Sequence, residues 1–381
     1  MATPFVYDKY VTGKNFIGRK AESVILSNLI QGGENVVIYE PPKSGKTSLI
    51  QQTIFSMRVA GKQFLVGQMS CMDIRSISSF LTRFGTTVIR MVAATPSEYA
   101  DIISTYLQDT HFVFDRAHFS ETDEVVSLNW DPDEADIIAM FRLPYRLAAD
   151  KGSRMLLLID EFQNIRLTED GDLILKPMES VIKDEPKGGF SYILSGSMVN
   201  AMKEIFEVQR YFYRHVEHLL LNRPDERDIV DRIVKGFLSS GKVIDRDLLM
   251  GSCALFRNNL WYINHFSAIC DARSKGYIME PVLIEALDCL LAIHEPRFKA
   301  SMNDLTTHQV SLLRAIIDGF TRFSSSEVVQ SYHLNSSANV KRVKDALMKK
   351  EIITFDSSDK PVIIDPLFEY WVRRYFFNKK D

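Results

Sequence analysis

Cysteine is scarce in this chain. Four residues of 381 (Cys71, Cys253, Cys270 and Cys289) carry thiols, and none stands in a CxxC spacing. That excludes a zinc-ribbon ligand set and a vicinal redox pair, and it leaves buried thiols in a reducing compartment. Long apolar runs are lacking too. The N-terminus, MATPFVYDKYVTGKNF, has no signal core. No stretch approaches the roughly 20 apolar residues of a membrane span. Nor is there an excess of one charge: 46 Lys and Arg face 49 Asp and Glu, for a net charge of −3. Composition therefore does not advertise nucleic acid. These absences predict a soluble cytoplasmic protein with no membrane partner. The length and 46% hydrophobic content allow two or three domains.

Against that plain background one stretch stands out. Glu40 to Thr47 reads EPPKSGKT, between the apolar run Val36-Val37-Ile38-Tyr39 and the helix-like run Ser48-Leu49-Ile50-Gln51-Gln52-Thr53-Ile54. Strand, glycine-bearing turn, Lys-Thr and helix is the layout of a loop for nucleoside-triphosphate phosphates. Backbone N–H groups of the turn and the first helical turn point at the anion, and the helix dipole favours negative charge there. Pro42, Lys43, Ser44, Gly45 and Ser48 are the expected lining for ATP. Lys46 is expected to reach the β- and γ-phosphates, and the Thr47 hydroxyl to hold Mg²⁺. The usual pattern begins with glycine, and here Glu40 has that place. Its carboxylate either repels the phosphates or points to solvent.

A second signal lies over a hundred residues downstream. Met155-Leu156-Leu157-Leu158-Ile159 is a continuous apolar run, the pattern of a strand buried on both faces of a parallel sheet. It ends in Asp160-Glu161. An acid at the carboxyl end of a central strand sits beside the phosphate loop in an open α/β sheet. Asp160 is the candidate for the magnesium shell and Glu161 for polarising the attacking water. The next strand pattern, Phe190 to Leu194, ends in Ser195-Gly196-Ser197. A hydroxyl there is placed for the γ-phosphate or its water, and Ser197 is also read as the cap of the next helix.

The remaining pattern predicts helices within 16–30 and over 76–93, 97–107, 134–150, 173–184 and 198–208, with strands near 64–69 and 216–221. Residues 109–136 are acidic, with His111 and His118 at no ligand spacing, and read as a solvated loop. From 225 onward the pattern is helical: 225–239, 245–255, 259–274 and 280–294. Beyond 306 come helices at 307–319, 325–332 and 336–350, then extended runs at 352–355 and 362–365. Three helices and a hairpin make a winged helix. The expected architecture is α/β: a phosphate-loop ATPase domain over 1–222, a helical lid over 223–303, and a winged helix over 304–381.

On these motifs the chain resembles the archaeal-type ATPases of the signal-transduction ATPase (STAND) group within the AAA+ class, of the kind also numerous in Bacteroidetes. The resemblance rests on Phe16-Ile17-Gly18-Arg19-Lys20-Ala21-Glu22, the phosphate loop, Leu157 to Gln163, Leu194-Ser195-Gly196-Ser197-Met198, Tyr213-Arg214, and the ending Ile364 to Trp371. It implies a five-stranded parallel sheet of order 5-1-4-3-2. It also implies an adenine pocket lined by Phe16, Ile17, Gly18 and Arg19, and Ser197 as first sensor. Arg214 falls where such ATPases carry an arginine acting on the γ-phosphate, from the same chain or from a neighbouring copy; a surface salt bridge is the alternative. The family's lid carries a glycine-x-proline turn, where this chain has Arg257-Asn258-Asn259-Leu260.

Helix 336–350 gathers Lys341, Arg342, Lys344, Lys349 and Lys350, a candidate set for DNA phosphates. Positions 341, 344 and 348 fall on one side and Val340, Val343 and Leu347 on the other, so a solvated face is the alternative. The aromatic tail Phe368, Tyr370, Trp371, Tyr375, Phe376 and Phe377 reads as core packing. Three functions remain open at this level. One is an ATP-driven molecular switch with a protein partner or a second copy of itself. Another is a winged-helix DNA regulator or mobile-element protein tuned by ATP. The third is a scaffold with ATP as structural ligand.

Overall fold

Short runs of apolar, mostly branched residues form strands of a parallel sheet buried on both faces. The computed structural model describes residues 3–115, 124–168 and 171–379. Five parallel strands form one sheet: β1 (Asn35–Tyr39), β2 (Leu65–Ser70), β3 (Met155–Asp160), β4 (Phe190–Gly196) and β5 (Val216–His218). Their spatial order is β2-β3-β4-β1-β5, which read from the other edge is 5-1-4-3-2. Every residue of β1 and β4 is buried, and so are the first five of β3. Ile159 of β3 pairs with Leu194 of β4, and Tyr39 of β1 pairs with Gly196. Asn35, itself buried, fixes the start of β1 between its neighbours. Its side-chain amide donates to the His215 carbonyl at 3.2 Å, and its Oδ1 accepts from the Tyr192 amide at 2.9 Å.

Contacts divide the chain into two units, residues 20–40 with 49–221, and residues 1–19, 41–48 and 222–381. In the sheet unit, helices Ile77–Arg90 and Glu134–Lys151 supply an aromatic core, and helix Asp172–Asp184 adds Ile174, Leu175, Met178 and Val181. Phe84 and Phe141 meet edge to face at 5.3 Å, and Tyr145 meets Phe190 at 4.9 Å. Residues 109–136 depart from the loop expectation: Phe112–Phe114 and Val126–Leu128 pair as an antiparallel hairpin. Buried Asp136 explains the closure. It accepts from the His111 amide at 2.9 Å and from His111 Nδ1 at 2.7 Å, and it completes a capping box with Asp133 at the start of helix Glu134–Lys151. His118 lies outside the described residues.

The other unit is helical until its end. Helices Glu226–Ser239, Arg246–Leu255, Leu260–Arg273 and Glu280–Asn303 follow in turn. The last continues nine residues beyond the expected stop at 294 and carries Pro296 inside it. The proline does not end the helix because Phe298 and Met302 beyond it are buried in the core. Helices Thr307–Ile317, Ser326–Ser331 and Ser337–Lys349 and the hairpin Ile353–Phe355/Pro361–Ile363 then form the winged helix, with Val340, Val343 and Leu347 buried. In the aromatic tail Phe368 and Trp371 are core, but Tyr375 and Phe376 are exposed, against the packing expectation. The local reason is that the chain widens into a π-helical turn over Val372–Phe376, and only Val372 of that turn stays buried. Among the described residues, no helix is long and apolar enough to cross a membrane.

One carboxylate ties this unit together. Asp365 caps the helix Pro366–Trp371, accepting from the amides of Leu367 (2.9 Å) and Phe368 (3.1 Å). It also accepts from the buried Tyr262 hydroxyl at 2.9 Å and from Arg297 at 2.8 Å. Replacing Asp365 with Ala should lower the unfolding free energy by about 2–4 kcal/mol, about 1 for the cap and about 1–3 for the stranded donors. Denaturant melts of the full chain measure it. A loss under about 1 kcal/mol would mean that the three elements do not share this group.

Candidate functional site

The phosphate loop leaves the carboxyl end of β1. Glu40 extends that strand by one residue, its amide donating to the Gly196 carbonyl of β4 at 3.3 Å. Pro41 to Gly45 then form the turn, and Lys46 opens the helix Lys46–Val59. Lys43 (φ +64°) and Gly45 (φ +89°) are left-handed, and the Ser44 amide between them donates to the Pro41 carbonyl at 3.3 Å. Gly45 adopts that angle without strain because it has no Cβ. The Lys46 side chain is buried, with its ammonium donating to the Pro41 carbonyl at 3.1 Å. The Ser44 hydroxyl is buried without a hydrogen-bond partner. An unpartnered hydroxyl and a lysine folded onto its own loop form a donor set that suits a polyphosphate.

Residues 16–19 come to the same loop. A Cβ on Gly45 would lie 3.6 Å from Arg19 Nη1. Ile17 is buried, and Gly18 (φ +64°) lies so close to Pro224 that a Cβ would sit 3.3 Å from the proline's own. Phe16, Gly18 and Arg19 therefore form a turn fixed beside the phosphate loop. Thr47 and Ser48 begin the helix, and Ser48 Oγ accepts from the Val11 amide at 3.1 Å.

A separate acidic cluster is built where β3 and β4 end. Asp160 Oδ1 accepts from the Ser195 hydroxyl at 2.6 Å and from the Glu161 amide at 3.0 Å. Glu161 is left-handed (φ +53°), so the chain turns sharply away from the strand. Its carboxylate Oε2 accepts from the Ser197 hydroxyl at 2.6 Å. Ser197 does not cap the following helix: Met198 is the cap residue of Val199–Lys203, and no side chain serves there. The hydroxyl is already committed to the carboxylate.

Similar architectures are known. The Walker-type ATPase PABY2304 of Pyrococcus abyssi matches over 97% of this chain and 99% of its own, at 14% identity and a TM-score of 0.67. The ORC2 protein of Aeropyrum pernix, in a structure of its ADPNP–ADP complexes, matches over 96% and 98% at 12% identity and a TM-score of 0.56. A family model described as a probable winged helix domain matches residues 296–374. Among curated proteins, none matches the chain in sequence. The fold is that of an AAA+ Walker-type ATPase with a winged helix.

Two residues of this ATPase-like site were not singled out from the sequence: Ser195, which holds Asp160, and Gln163, which donates to Glu161 Oε2 at 2.5 Å. A serine buried inside an otherwise apolar strand was the available signal for the first. Arg214 stands in the turn before β5. It is exposed and left-handed (φ +66°), its guanidinium 5.2 Å from the Tyr213 ring, with no ion pair among the described residues. Where the family's glycine-x-proline turn is expected, Arg257 (φ +49°) and Asn258 (φ +58°) are both left-handed. The Asn258 amide donates to the Pro224 carbonyl at 3.1 Å, and Asn259 caps the helix Leu260–Arg273. The turn is kept without glycine or proline.

The tip of the loop has its own environment. The Lys43 ammonium lies 3.3 Å from the centroid of the Trp261 ring, a cation–π contact. Tyr7 stacks on His265 at 4.1 Å, and His294 meets Trp261 edge to face at 5.6 Å. Burial, with Arg297 nearby and Asp365 opposing, pulls Lys43 down to about 8. Burial, then Lys43 and Arg297, pushes His294 down to about 4. A buried ammonium beside another cation releases its proton more easily. Competitive acetylation of the full chain across pH should give Lys43 a midpoint of about 8, against about 10.4 for an ordinary lysine. Trp261→Ala should move that midpoint upward. A wild-type midpoint at the ordinary value would mean that Lys43 does not rest on Trp261.

Proposed function

We propose that the chain is a Mg²⁺-dependent ATPase that works as a nucleotide-driven molecular switch. The observation that carries this reading is the pair of acids closing β3, each held by a hydroxyl from β4: Asp160 by Ser195 and Glu161 by Ser197. The unpartnered Ser44 hydroxyl and the buried Lys46 are the anion donors of the loop. That a protein of similar fold was solved with ADPNP and ADP supports the ligand class.

In this reading residues 1–222 are the ATPase domain, 223–303 the lid and 304–381 the winged helix. Lys46 and the amides of Pro42 to Ser48 except proline's bind the β- and γ-phosphates, while Phe16 to Arg19 bound the adenine pocket. Thr47 and Asp160 would hold Mg²⁺, which supplies charge neutralisation at the phosphates. Glu161 takes a proton from water at its carboxylate as the water oxygen bonds to the γ-phosphorus. The bond to the β–γ bridging oxygen breaks, its electron pair leaving with ADP. Ser197 orients Glu161, and Arg214, exposed on its turn, serves the γ-phosphate. Loss of the γ-phosphate contacts then changes the arrangement of loop, lid and winged helix toward a protein partner or a second copy of the chain. Glu161→Gln should slow phosphate release about 100-fold or more while a fluorescent ATP analogue binds as before. Lys46→Ala should weaken both binding and release. Strong residual turnover in both variants removes the assignment.

A second reading concerns DNA, and one observation favours it. Lys341, Arg342 and Lys349 are exposed on the third winged-helix helix. Lys344 and Lys350 are engaged elsewhere, Lys344 over the Phe355 ring at 4.1 Å and Lys350 on Asp304. The exposed three form the candidate phosphate-contacting set. If they bind duplex, log affinity falls linearly with log salt, and the double change Lys341→Ala with Arg342→Ala should reduce the slope by about 2. An unchanged slope, or no duplex binding at low salt, excludes that surface.

A further inference from the structure

The two oxygens of the Glu161 carboxylate have different surroundings. Oε2 accepts from the Ser197 hydroxyl at 2.6 Å and from Gln163 Nε2 at 2.5 Å, while Oε1 takes no donor among the described residues. The left-handed turn at Glu161 is an arrangement that a residue with a side chain keeps only where its surroundings enforce it. The short 3₁₀ helix Phe162–Leu167 that follows provides this enforcement. It is anchored by fully buried Phe162 and by Asn164, whose amide donates to the Met72 carbonyl at 3.3 Å. The same turn returns Gln163 to the carboxylate two residues upstream.

Gln163 is only 3% exposed, and its own Oε1 is buried without a partner. The amide has one sensible orientation, because reversing it would set an oxygen against Glu161 Oε2. Space for it is reserved on β4: a Cβ on Gly196 would fall 2.6 Å from Gln163 Oε1 and 2.5 Å from Met202 Sδ. A buried carbonyl oxygen left unpaired is unfavourable, and an unbranched apolar side chain of the same length would fill this space without it. What glutamine supplies that methionine lacks is the N–H aimed at Glu161.

We infer that Gln163 is a positioning residue for ATP hydrolysis, acting through Glu161. With Ser197 it occupies Oε2 and leaves Oε1 as the oxygen that receives the water proton. The inference rests on the reading of Glu161 as the base. A carboxylate that swings between two faces presents the wrong oxygen part of the time, and fixing it preserves the near-attack geometry.

The test compares wild type, Gln163→Met, Glu161→Gln and the double variant as full chains, with Gln163→Leu as a second apolar replacement and Lys46→Ala as the control for site-dependent turnover. Gln163→Met should lower kcat about tenfold or more with KM and ATP-analogue binding within about twofold, and with a melting temperature equal to wild type or higher. In the Glu161→Gln background the same change should have no further effect on the residual rate, since the group it positions is gone. A purely structural role predicts the reverse: lower stability, and an equal fold-loss in both backgrounds. Either a wild-type kcat in both apolar variants or that additive pattern overturns the inference while leaving the ATPase reading intact. Wild-type turnover that Lys46→Ala does not diminish overturns the ATPase reading itself, and the positioning role with it.

Discussion

A parallel strand buried on both faces can offer polar chemistry only where it ends, and the site of this protein follows from that constraint. β3 is apolar and buried from Met155 to Ile159, so its first available polar group is Asp160. β4 lies alongside it in the register that pairs Ile159 with Leu194, which brings Ser195 to Asp160 and Ser197 to Glu161. A slip of one residue would turn every side chain of a strand to the opposite face and break both hydroxyl–carboxylate pairs. The register of a fully buried ladder therefore sets the geometry of these pairs and stability together. Gly196 between the two serines belongs to the same constraint, since no side chain fits between Gln163 and Met202.

The phosphate loop is governed by a different balance. Its residues 41–48 group with the N-terminal 19 residues and with everything beyond 222. Within that unit the route from the loop to the winged helix is short and made of named contacts: Lys43 on Trp261, the adjacent Tyr262 on Asp365, and Asp365 at the head of helix Pro366–Trp371. A cation–π contact of this kind is worth about 0.5–2 kcal/mol. The link between the loop and helix Pro366–Trp371 is therefore concentrated in a few side chains.

Departures from the usual motifs were absorbed locally. Glu40 takes the place of the first loop glycine because the backbone there simply continues β1, pairing with Gly196, and needs no left-handed angle. The missing glycine-x-proline turn is replaced by Arg257 and Asn258 in left-handed conformations, held by hydrogen bonds to Ile363 and Pro224. Asparagine tolerates that region better than most residues, and Arg257 is further fixed by its ion pair with Glu369. Motif matching alone has no access to such compensation, because the partners are distant in sequence.

Much of the architecture was legible beforehand. The buried runs at 36–39, 155–159 and 190–194 announced central strands, and the Val340, Val343, Leu347 spacing announced the core face of the winged helix; each is a local pattern whose period is set by backbone geometry. What stayed hidden depended on groups that meet only after folding. The hairpin in 109–136 needed buried Asp136 to receive His111, and helix Glu280–Asn303 ran through Pro296 because core contacts outweighed a local breaker. At the site, the amino-acid sequence by itself determined which residues are candidates for phosphate-binding and acidic chemistry, since a Ser-Gly-Lys-Thr turn and a strand ending in two acids are readable as text. Only the tertiary structure decided that Ser197 serves Glu161 and not a helix end, that Gln163 joins it, and that Lys43 rests on Trp261. Hydrogen bonds and ring contacts reach only a few ångströms, and which side chains come within that reach is set by strand register and helix packing.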